Sequence, residues 1–438
     1  MDLQSVFTEA VQLHQVGKYQ EALNRYLLIL DVLPDNVNLL SNVGLVYRDL
    51  GRADDALGFC LKAVRQAPGD PNQLVNLGAV YESLSRVDEA AATYEQALAL
   101  APHHAKALNN LGKLYHLLGQ SERGLALIRH ALTVEPDNPL ALNNLGVILS
   151  DSGDFQGAAA AFEQSLQKDP TNSDLLFNLS GLYNCRGDLE MARQTLQRLL
   201  ALQPNHESAQ YMLAALDGSV RESAPPGYVT ETFDKYAYRF ERHIGSNLGY
   251  TVPQRLAEMI LAHYPDRKFA SGIDLGCGTG LVGAALYNEV HQLTGIDLSP
   301  RMLEVAARKG HYHHLIQDEL GAFLDRTAAR YDLFLAADVF IYLGELERIC
   351  AGLSRTACRH AVLACSIERL FDETSLGYRL RPSGRFAHTA AYLIGCAARH
   401  GFQKVGHQTH DIRKENGTWI PGDLFIFERD AGKDGDRA

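Results

Sequence analysis

A glycine-rich segment flanked by two aspartates is the part of the sequence best suited to hold a reactive ligand. Asp274 is followed by Gly276, Gly278 and Gly280, and Asp297 lies 23 residues after Asp274. Glycine lets the backbone turn tightly and approach a ligand closely, because no Cβ stands in the way. A dinucleotide-binding loop of the form G-x-G-x-x-G would need its third glycine at position 281, which is a leucine here. The spacing therefore departs from the dinucleotide-binding pattern.

Predicted strands place both aspartates at strand ends. Residues 269–274 predict a first strand, and residues 293–296 predict a second strand that ends at Asp297. Ser299 and Pro300 then begin a helix, as its N-cap and its first helical residue. Because strands alternate with helices, we expect a mostly parallel sheet. The remaining predicted strands are residues 314–317, 331–338, 361–366, 402–412 and 423–429, the last two forming a closing pair with one reversed strand.

The residues Asp274–Gly280, which read DLGCGTG, resemble motif I of class I S-adenosylmethionine-dependent methyltransferases. This resemblance implies a Rossmann-like, seven-stranded methyltransferase domain that binds S-adenosyl-L-methionine. It implies that the glycines pass beside the amino acid end of the cofactor, that Asp297 accepts both ribose hydroxyls, and that Asp318 contacts the adenine amine. A helix cap is the alternative role for Asp318. We also expect Asp297 to have no structural partner. The predicted cofactor-binding residues are Asp274, Gly276, Gly278, Gly280, Asp297 and Asp318.

Three further residues are candidates for contact with the methyl acceptor. Methyl transfer from a sulfonium needs an aligned nucleophile, and it needs a base only if the acceptor is protonated when bound. Asp338 ends the predicted fourth strand, and Tyr342 follows it closely. His388 lies on a segment between the fifth strand and the next helix, which can face the substrate. Asp338, Tyr342 and His388 are therefore the predicted catalytic residues. A structural role for Asp338 and a surface position for His388 are the alternatives.

Six prolines at intervals of 34 residues define the first half of the chain: Pro34, Pro68, Pro102, Pro136, Pro170 and Pro204. Small and aromatic residues recur at the same interval, and the whole pattern resembles the tetratricopeptide repeat family. One helix pair cannot bury its apolar face alone, so neighbouring repeats are expected to stack into a solenoid with a concave groove. The predicted fold class is therefore α + α/β. The predicted domains are six repeats over 1–206, a capping helix and linker over 207–227, the methyltransferase domain over 228–430 and a disordered tail over 431–438.

One asparagine recurs in five successive repeats: Asn42, Asn76, Asn110, Asn144 and Asn178. The series resembles the asparagine ladders of repeat arrays that hold extended peptides, because an amide side chain can both donate to and accept from a peptide backbone. It predicts a protein or peptide partner in the groove. The alternative is that these amides make local hydrogen bonds within the array.

The charge distribution limits the possible partners. The net charge is −11, and residues 1–216 hold 15 basic and 24 acidic residues. An acidic surface repels phosphate backbones, so we expect no nucleic acid partner for the repeats. No run of about 20 apolar residues predicts a membrane span. The seven cysteines form no C-x-x-C pair, and adjacent histidines such as His313 and His314 seldom bind one ion, so we expect no bound metal. The scattered, odd number of cysteines also argues against disulfides, so we expect a cytoplasmic location.

The leading hypothesis is a methyltransferase whose protein or peptide acceptor is captured by the repeat groove. A small-molecule methyltransferase whose repeats serve only assembly or localisation is the first alternative. A repeat scaffold without enzymatic activity is the second. The whole arrangement, including residues 383–388 and 412–417, resembles bacterial methyltransferases with tetratricopeptide repeats, and this implies neither the acceptor nor the oligomeric state.

Overall fold

The computed structural model describes residues 2–238, 240, 249–372, 375–415 and 417–430, so the predicted tail over 431–438 lies outside the described residues. The chain forms two compact units, Met1–Pro170 and Thr171–Ala438. The boundary falls between the fifth and sixth repeats, so the sixth repeat belongs to the same compact unit as the sheet.

The described residues of the first unit, 2–170, form ten helices in antiparallel pairs. Five side chains spaced 34 residues apart cap the first helix of each pair, because each accepts a backbone N–H of the first turn; these are Asp2, Asn36, Asp70, His104 and Asn138. The helices are α1 (Leu3–Gln15), α2 (Tyr19–Leu30), α3 (Val37–Asp49), α4 (Ala53–Gln66), α5 (Pro71–Ser83), α6 (Val87–Leu100), α7 (Ala105–Leu117), α8 (Ser121–Val134), α9 (Pro139–Asp151) and α10 (Phe155–Lys168).

Glycines inside the first helices allow the two helices of a pair to approach closely. A Cβ added to Gly78 would lie 2.5 Å from the Tyr94 ring, and one added to Gly146 would lie 2.5 Å from the Phe162 ring. Both aromatic rings are fully buried. In these two repeats the glycine is therefore required by helix packing.

The second unit begins with the sixth repeat and continues into an α/β domain. Its helices are α11 (Ser173–Arg186), α12 (Leu189–Leu202), α13 (Glu207–Asp217), α14 (Pro226–Tyr236), α15 (Val252–His263), α16 (Leu281–Leu286), α17 (Pro300–Lys309), α18 (Leu320–Arg326), α19 (Glu347–Thr356) and α20 (Ala390–Arg399). Its strands are β1 (Phe269–Leu275), β2 (Val290–Asp297), β3 (His314–Gln317), β4 (Tyr331–Ala336), β5 (Ala357–Arg369), β6 (Tyr378–Leu380), β7 (Phe386–His388), β8 (Phe402–Glu415) and β9 (Thr418–Arg429).

Seven of the nine described strands form the expected class I methyltransferase sheet. Strands β3, β2, β1, β4 and β5 lie side by side and parallel. Strand β9 runs antiparallel to both β5 and β8, which makes it the single reversed strand of the seven. The short hairpin β6–β7 was not predicted, and it adds two strands at the end of β5.

Alternate residues of each central strand pack on opposite faces of the sheet. In β4, Leu333 and Leu335 belong to the cluster that includes residues of α15 and α16, whereas Phe334 and Ala336 belong to the cluster that includes residues of α18, α19 and α20. Both faces of the parallel sheet are therefore buried. Among the described residues, none of the helices has the length and apolarity that a membrane crossing requires.

Candidate functional site

The glycine loop follows β1 directly and has the backbone conformation that its sequence predicts. Gly276, Gly278 and Gly280 have φ angles of 65°, 53° and 85°, a region that side chains disfavour. A Cβ on Gly276 would lie 2.7 Å from a Val339 methyl group, whereas a Cβ on Gly278 would meet nothing within 4 Å. Gly276 is thus required by packing, and Gly278 leaves open space where a ligand can approach the backbone.

The Asp297 carboxylate ties this loop to the end of β2. One of its oxygens accepts the Gly278 N–H at 2.9 Å, and the other accepts the Ser299 N–H at 2.8 Å. Burial raises the pKa of Asp297, and these backbone donors lower it in part. The expectation that Asp297 has no structural partner was therefore wrong, because the carboxylate holds both the loop and the start of α17.

Asp274, at the end of β1, is a second buried carboxylate beside the loop. Its side chain accepts a hydrogen bond of 2.7 Å from the Tyr312 hydroxyl. Burial raises its pKa to about 7, the Tyr312 hydroxyl lowers it in part, and the nearby Asp297 charge raises it further. Tyr312, which was not predicted as a site residue, packs against Gly280 and Gly283 from the segment before β3. No local motif marks this residue.

Asp318 directly follows β3, as predicted, and its backbone N–H donates to the Asp297 carbonyl at 3.1 Å. Its carboxylate accepts the Glu319 N–H at 2.9 Å and pairs with Arg326. The N-cap of α18 is Glu319, so Asp318 does not cap that helix. Asp297 and Asp318 therefore lie at adjacent strand ends, on neighbouring parallel strands.

Asp338 follows β4 with a φ of 57°, which is strained for a residue with a side chain. Its backbone N–H donates to the Ser366 hydroxyl at 2.8 Å, and that hydroxyl lies 3.3 Å from the Asp338 carboxylate. The other carboxylate oxygen accepts from Arg413 at 2.8 Å. The Asp338 carboxylate is therefore held in an ion pair with a buried guanidinium.

Arg413 is the centre of a buried charge network that was not predicted from the sequence. Besides Asp338, its guanidinium contacts Glu368 and Glu415. Glu415 also pairs with Arg385, whose guanidinium is hydrogen-bonded to the Tyr342 side chain. The predicted residues Asp338 and Tyr342 are thus linked through side chains from β8 and from the β6–β7 turn. These side chains lie in the 383–388 and 412–417 segments, which carried part of the resemblance.

His388 lies in the protein core rather than at a pocket. Its side chain is fully buried, one ring nitrogen lies 3.2 Å from the Gly344 carbonyl, and its ring stacks on Tyr392. Burial lowers its pKa to about 4. The prediction that His388 faces the substrate therefore lacks structural support, because a base must reach the acceptor to remove a proton.

Helix α14 lies beside the aspartate of β2. The Ser299 hydroxyl is 2.5 Å from the Asp234 carboxylate, and the Tyr238 hydroxyl donates to Glu304 at 2.9 Å. The Phe233 ring contacts the Tyr342 ring edge-on, with 5.6 Å between centroids. Residues 233–238 thus pack over α17 and over Tyr342.

The asparagine series uses part of its hydrogen-bonding capacity inside the array. All five side chains are half-buried. In the first unit, Asn76 donates to the Ser41 hydroxyl at 2.8 Å and Asn144 donates to Asn109 at 2.9 Å, each reaching the preceding repeat. Asn110 donates to the Tyr94 hydroxyl at 3.4 Å. Local hydrogen bonds therefore exist, and each of these amides still has a second N–H donor. Asn42 occupies the same position of α3, and Asn178 that of α11 in the second unit.

Metal binding finds no support in the described part of the chain, where no three His, Cys, Asp or Glu side chains are grouped to hold an ion. Described cysteines are all free, and Cys277 within the glycine loop is buried. Burial raises the pKa of the Cys277 thiol well above its usual value, which disfavours the nucleophilic thiolate.

Comparisons with known proteins agree with both parts of the chain. A methyltransferase domain family matches residues 273–357, and tetratricopeptide repeat families match residues 35–103, 72–136, 118–173 and 149–216. The malonyl-[acyl-carrier protein] O-methyltransferase of Enterobacter lignolyticus is 29% identical over 105 residues, which are 24% of this chain and 39% of that protein. The 18S rRNA (guanine-N(7))-methyltransferase of Bos taurus is 32% identical over 79 residues, 18% and 28% of the two chains. The matches thus span between about a quarter and two fifths of the length of these two curated relatives.

Solved structures are similar over parts of the chain. Magnesium protoporphyrin IX methyltransferase from Synechocystis, solved with bound SAH, is 16% identical with a TM-score of 0.37 and covers 47% of this chain and 99% of its own. A tetratricopeptide repeat protein from Thermus thermophilus is 22% identical with a TM-score of 0.38 and covers 41% and 98%. On the family matches, the chain carries tetratricopeptide repeats followed by a methyltransferase domain.

Proposed function

We propose that the chain is an S-adenosyl-L-methionine-dependent methyltransferase that modifies a protein or peptide captured by its repeats. The arrangement of Gly278 and Asp297 carries the first part of this proposal. The Gly278 Cα faces open space, and its N–H is held by the Asp297 carboxylate. The two Asp297 oxygens accept backbone N–H groups, and a carboxylate with about four lone-pair sites can still accept from ribose hydroxyls.

The residues around the loop fit this cofactor, which when bound supplies a methyl group on a sulfonium. The glycine loop would lie beside its amino acid end, Asp297 would hold its ribose and Asp318 its adenine amine. On the acceptor side we assign Asp338 and Tyr342 to orientation. Arg413 neutralises Asp338, and Arg385 is hydrogen-bonded to Tyr342, so both side chains are held in place. Holding reactants at the right geometry can supply much of the acceleration.

The half-buried asparagines support a protein or peptide acceptor. In the first unit they recur in four successive repeats, and an amide such as that of Asn76 or Asn144, with a second N–H and a carbonyl oxygen, can pair with an extended backbone. The name of the malonyl-[acyl-carrier protein] methyltransferase, one of the partial relatives, also describes an acceptor carried on a protein. The acidic first half of this chain argues against an RNA acceptor such as that of the rRNA methyltransferase.

Asp297→Ala tests the cofactor assignment. Removing hydrogen bonds to a charged acceptor should weaken S-adenosylhomocysteine binding about ten- to a hundredfold, as measured by calorimetry. The melting temperature should also fall, because Gly278 and Ser299 lose their acceptor. The wild-type chain should not bind NAD.

Asp332→Ala is a matched control for this experiment. The Asp332 carboxylate also accepts two backbone N–H groups, from Ala270 at 2.8 Å and Ser271 at 2.9 Å, but at the opposite end of the sheet. This variant should lose similar stability and keep the wild-type affinity. Equal S-adenosylhomocysteine affinity in the Asp297→Ala variant and the wild type would refute the assignment, and so would tight NAD binding.

Incubation of a cell lysate with methyl-labelled S-adenosylmethionine tests the acceptor class. We expect label on protein that is lost after protease treatment. Label found only on small molecules would contradict a protein acceptor and would leave the repeats a role in assembly or localisation.

A further inference from the structure

The turn between β6 and β7 presents its backbone carbonyls to the sixth repeat. The turn spans residues 381–385, and it is closed by hydrogen bonds from the Arg381 N–H to the Arg385 carbonyl and from the Gly384 N–H to the Arg381 carbonyl, both 2.9 Å. Gly384 has a φ of 74°, which allows this tight reversal. The Pro382 and Gly384 carbonyls lie outside the β6–β7 ladder, which pairs residues 378–380 with 386–388.

Two side chains, one from the sixth repeat and one from the capping helix, donate hydrogen bonds to this turn. The Asn184 amide, on α11 of the sixth repeat, donates to the Pro382 carbonyl at 2.8 Å. The Tyr211 hydroxyl, on the capping helix α13, donates to the Gly384 carbonyl at 2.9 Å. The fit is close, because a Cβ on Gly384 would lie 2.8 Å from the Tyr228 hydroxyl oxygen and 2.9 Å from the Met212 sulfur. The sixth repeat thus holds a segment of its own chain by that segment's backbone.

The same turn carries a side chain of the acceptor side. Arg385 is hydrogen-bonded to Tyr342 and pairs with Glu415. The segment that contains Tyr342 is itself fastened to the linker after α13. The Ala224 N–H donates to the Tyr342 carbonyl at 2.8 Å, and the Gly344 N–H donates to the Glu222 carbonyl at 2.7 Å. Residues of the array and its linker therefore contact both elements that hold Arg385 and Tyr342.

We propose that the sixth repeat and the capping helix are a positioning device of the methyltransferase domain, in which Asn184 and Tyr211 hold the 382–384 turn so that Arg385 stays in contact with Tyr342. Asn184 and Tyr211 are positioning residues, since they act through Arg385. The sixth repeat is then occupied by the chain itself and is not part of the groove that captures an acceptor. The effect on methyl transfer rests on the proposed function, whereas the effect on the hairpin does not.

The full-length variants Tyr211→Phe and Gly384→Ala test the proposal by amide hydrogen exchange. Losing one hydrogen bond should speed exchange of the hairpin amides over residues 378–388 by roughly two- to tenfold, while the amides of β1 and β2 are unchanged. Tyr211→Phe removes only the hydroxyl, so the helix packing is kept. Gly384→Ala instead forces the turn away from Tyr228 and Met212 and should speed exchange further.

Methyl transfer from labelled S-adenosylmethionine to lysate protein separates positioning from a loss of folded protein. For Tyr211→Phe we expect a lower kcat, an unchanged KM for S-adenosylmethionine and unchanged S-adenosylhomocysteine affinity. Tyr264→Phe is the control, because it removes a hydroxyl that donates to Glu428 at 3.0 Å in the same unit, and it should leave hairpin exchange and kcat unchanged.

Wild-type hairpin exchange in both Tyr211→Phe and Gly384→Ala would overturn the proposed hold on the turn. Faster hairpin exchange with an unchanged kcat would overturn the positioning role. If the wild-type chain fails to bind S-adenosylhomocysteine, the proposed function falls, and the exchange result still decides whether the sixth repeat holds the turn.

Discussion

Asp274 and Asp297 flank the same glycine loop, and burial raises the pKa of both carboxyl groups. Different hydrogen-bond donors oppose this rise at the two residues. Asp297 accepts two backbone N–H groups, which favour its charged form. Asp274 accepts a Tyr312 hydroxyl and faces the negative charge of Asp297, so its pKa is raised to about 7. Backbone donors thus oppose the rise at Asp297, and the Tyr312 hydroxyl opposes it at Asp274.

Asp274→Asn should stabilise the protein more at pH 8 than at pH 5. The pKa of Asp274 is about 7 in the folded protein and about 3.9 in the unfolded chain, so the folded state binds this proton more tightly. The stability that the protonated Asp274 side chain contributes is therefore greatest below about pH 4. It declines as the pH rises and is fully lost above about pH 7. Asparagine stays neutral and can still accept the Tyr312 hydroxyl. Thermal melts of both proteins at the two pH values measure the effect, and an equal difference at both would contradict it.

At the scale of the helix pair, glycine positions in the array differ in what surrounds them. Gly78 lies inside α5 against the buried Tyr94 ring, whereas Gly58 lies inside α4 with nothing within 4 Å of an added Cβ. The same substitution should therefore have opposite effects at the two sites.

Gly78→Ala should lower the free energy of unfolding by about 1–3 kcal/mol, because the new methyl group cannot fit beside Tyr94. Gly58→Ala is the matched control and should raise it by about 0.5–1 kcal/mol, because alanine is a better helix former than glycine. Urea denaturation of both variants measures the difference. A stabilising Gly78→Ala substitution would show that the helices can separate without cost.

At the scale of the whole molecule, the asparagine series should decide whether the repeats deliver an acceptor. Replacing Asn42, Asn76, Asn110 and Asn144 together by alanine should reduce the label transferred to lysate protein at least tenfold, while S-adenosylhomocysteine affinity is unchanged. The first unit should also lose stability, because Asn76 and Asn144 donate to the preceding repeats.

A Ser41→Ala, Asn109→Ala double variant controls for that loss of stability. It removes the side chains that accept from Asn76 and Asn144 and leaves the asparagine series intact. Its label transfer should stay near the wild-type level. If both variants lose transfer equally, the asparagines serve the array and not an acceptor.

The sequence by itself determined the features that depend on neighbouring residues. The 34-residue period follows from one helix pair repeating its own packing, so the prolines and small residues identified the array. The spacing of Asp274, the three glycines and Asp297 identified the loop between two strand ends. The 34-residue series of helix caps from Asp2 to Asn138 was equally visible in the sequence, although we did not predict it.

Only the tertiary structure decided which distant residues meet. Arg413 lies 75 residues from Asp338 in the chain, and no spacing rule links them. The contacts of Asn184 and Tyr211 with the 382–384 turn were not visible in the sequence, because they span more than 170 residues. For the same reason His388 was predicted to face the substrate, whereas it lies buried between the Tyr378 and Tyr392 rings. Local pattern sets each element, and burial and charge pairing depend on how the chain brings those elements together.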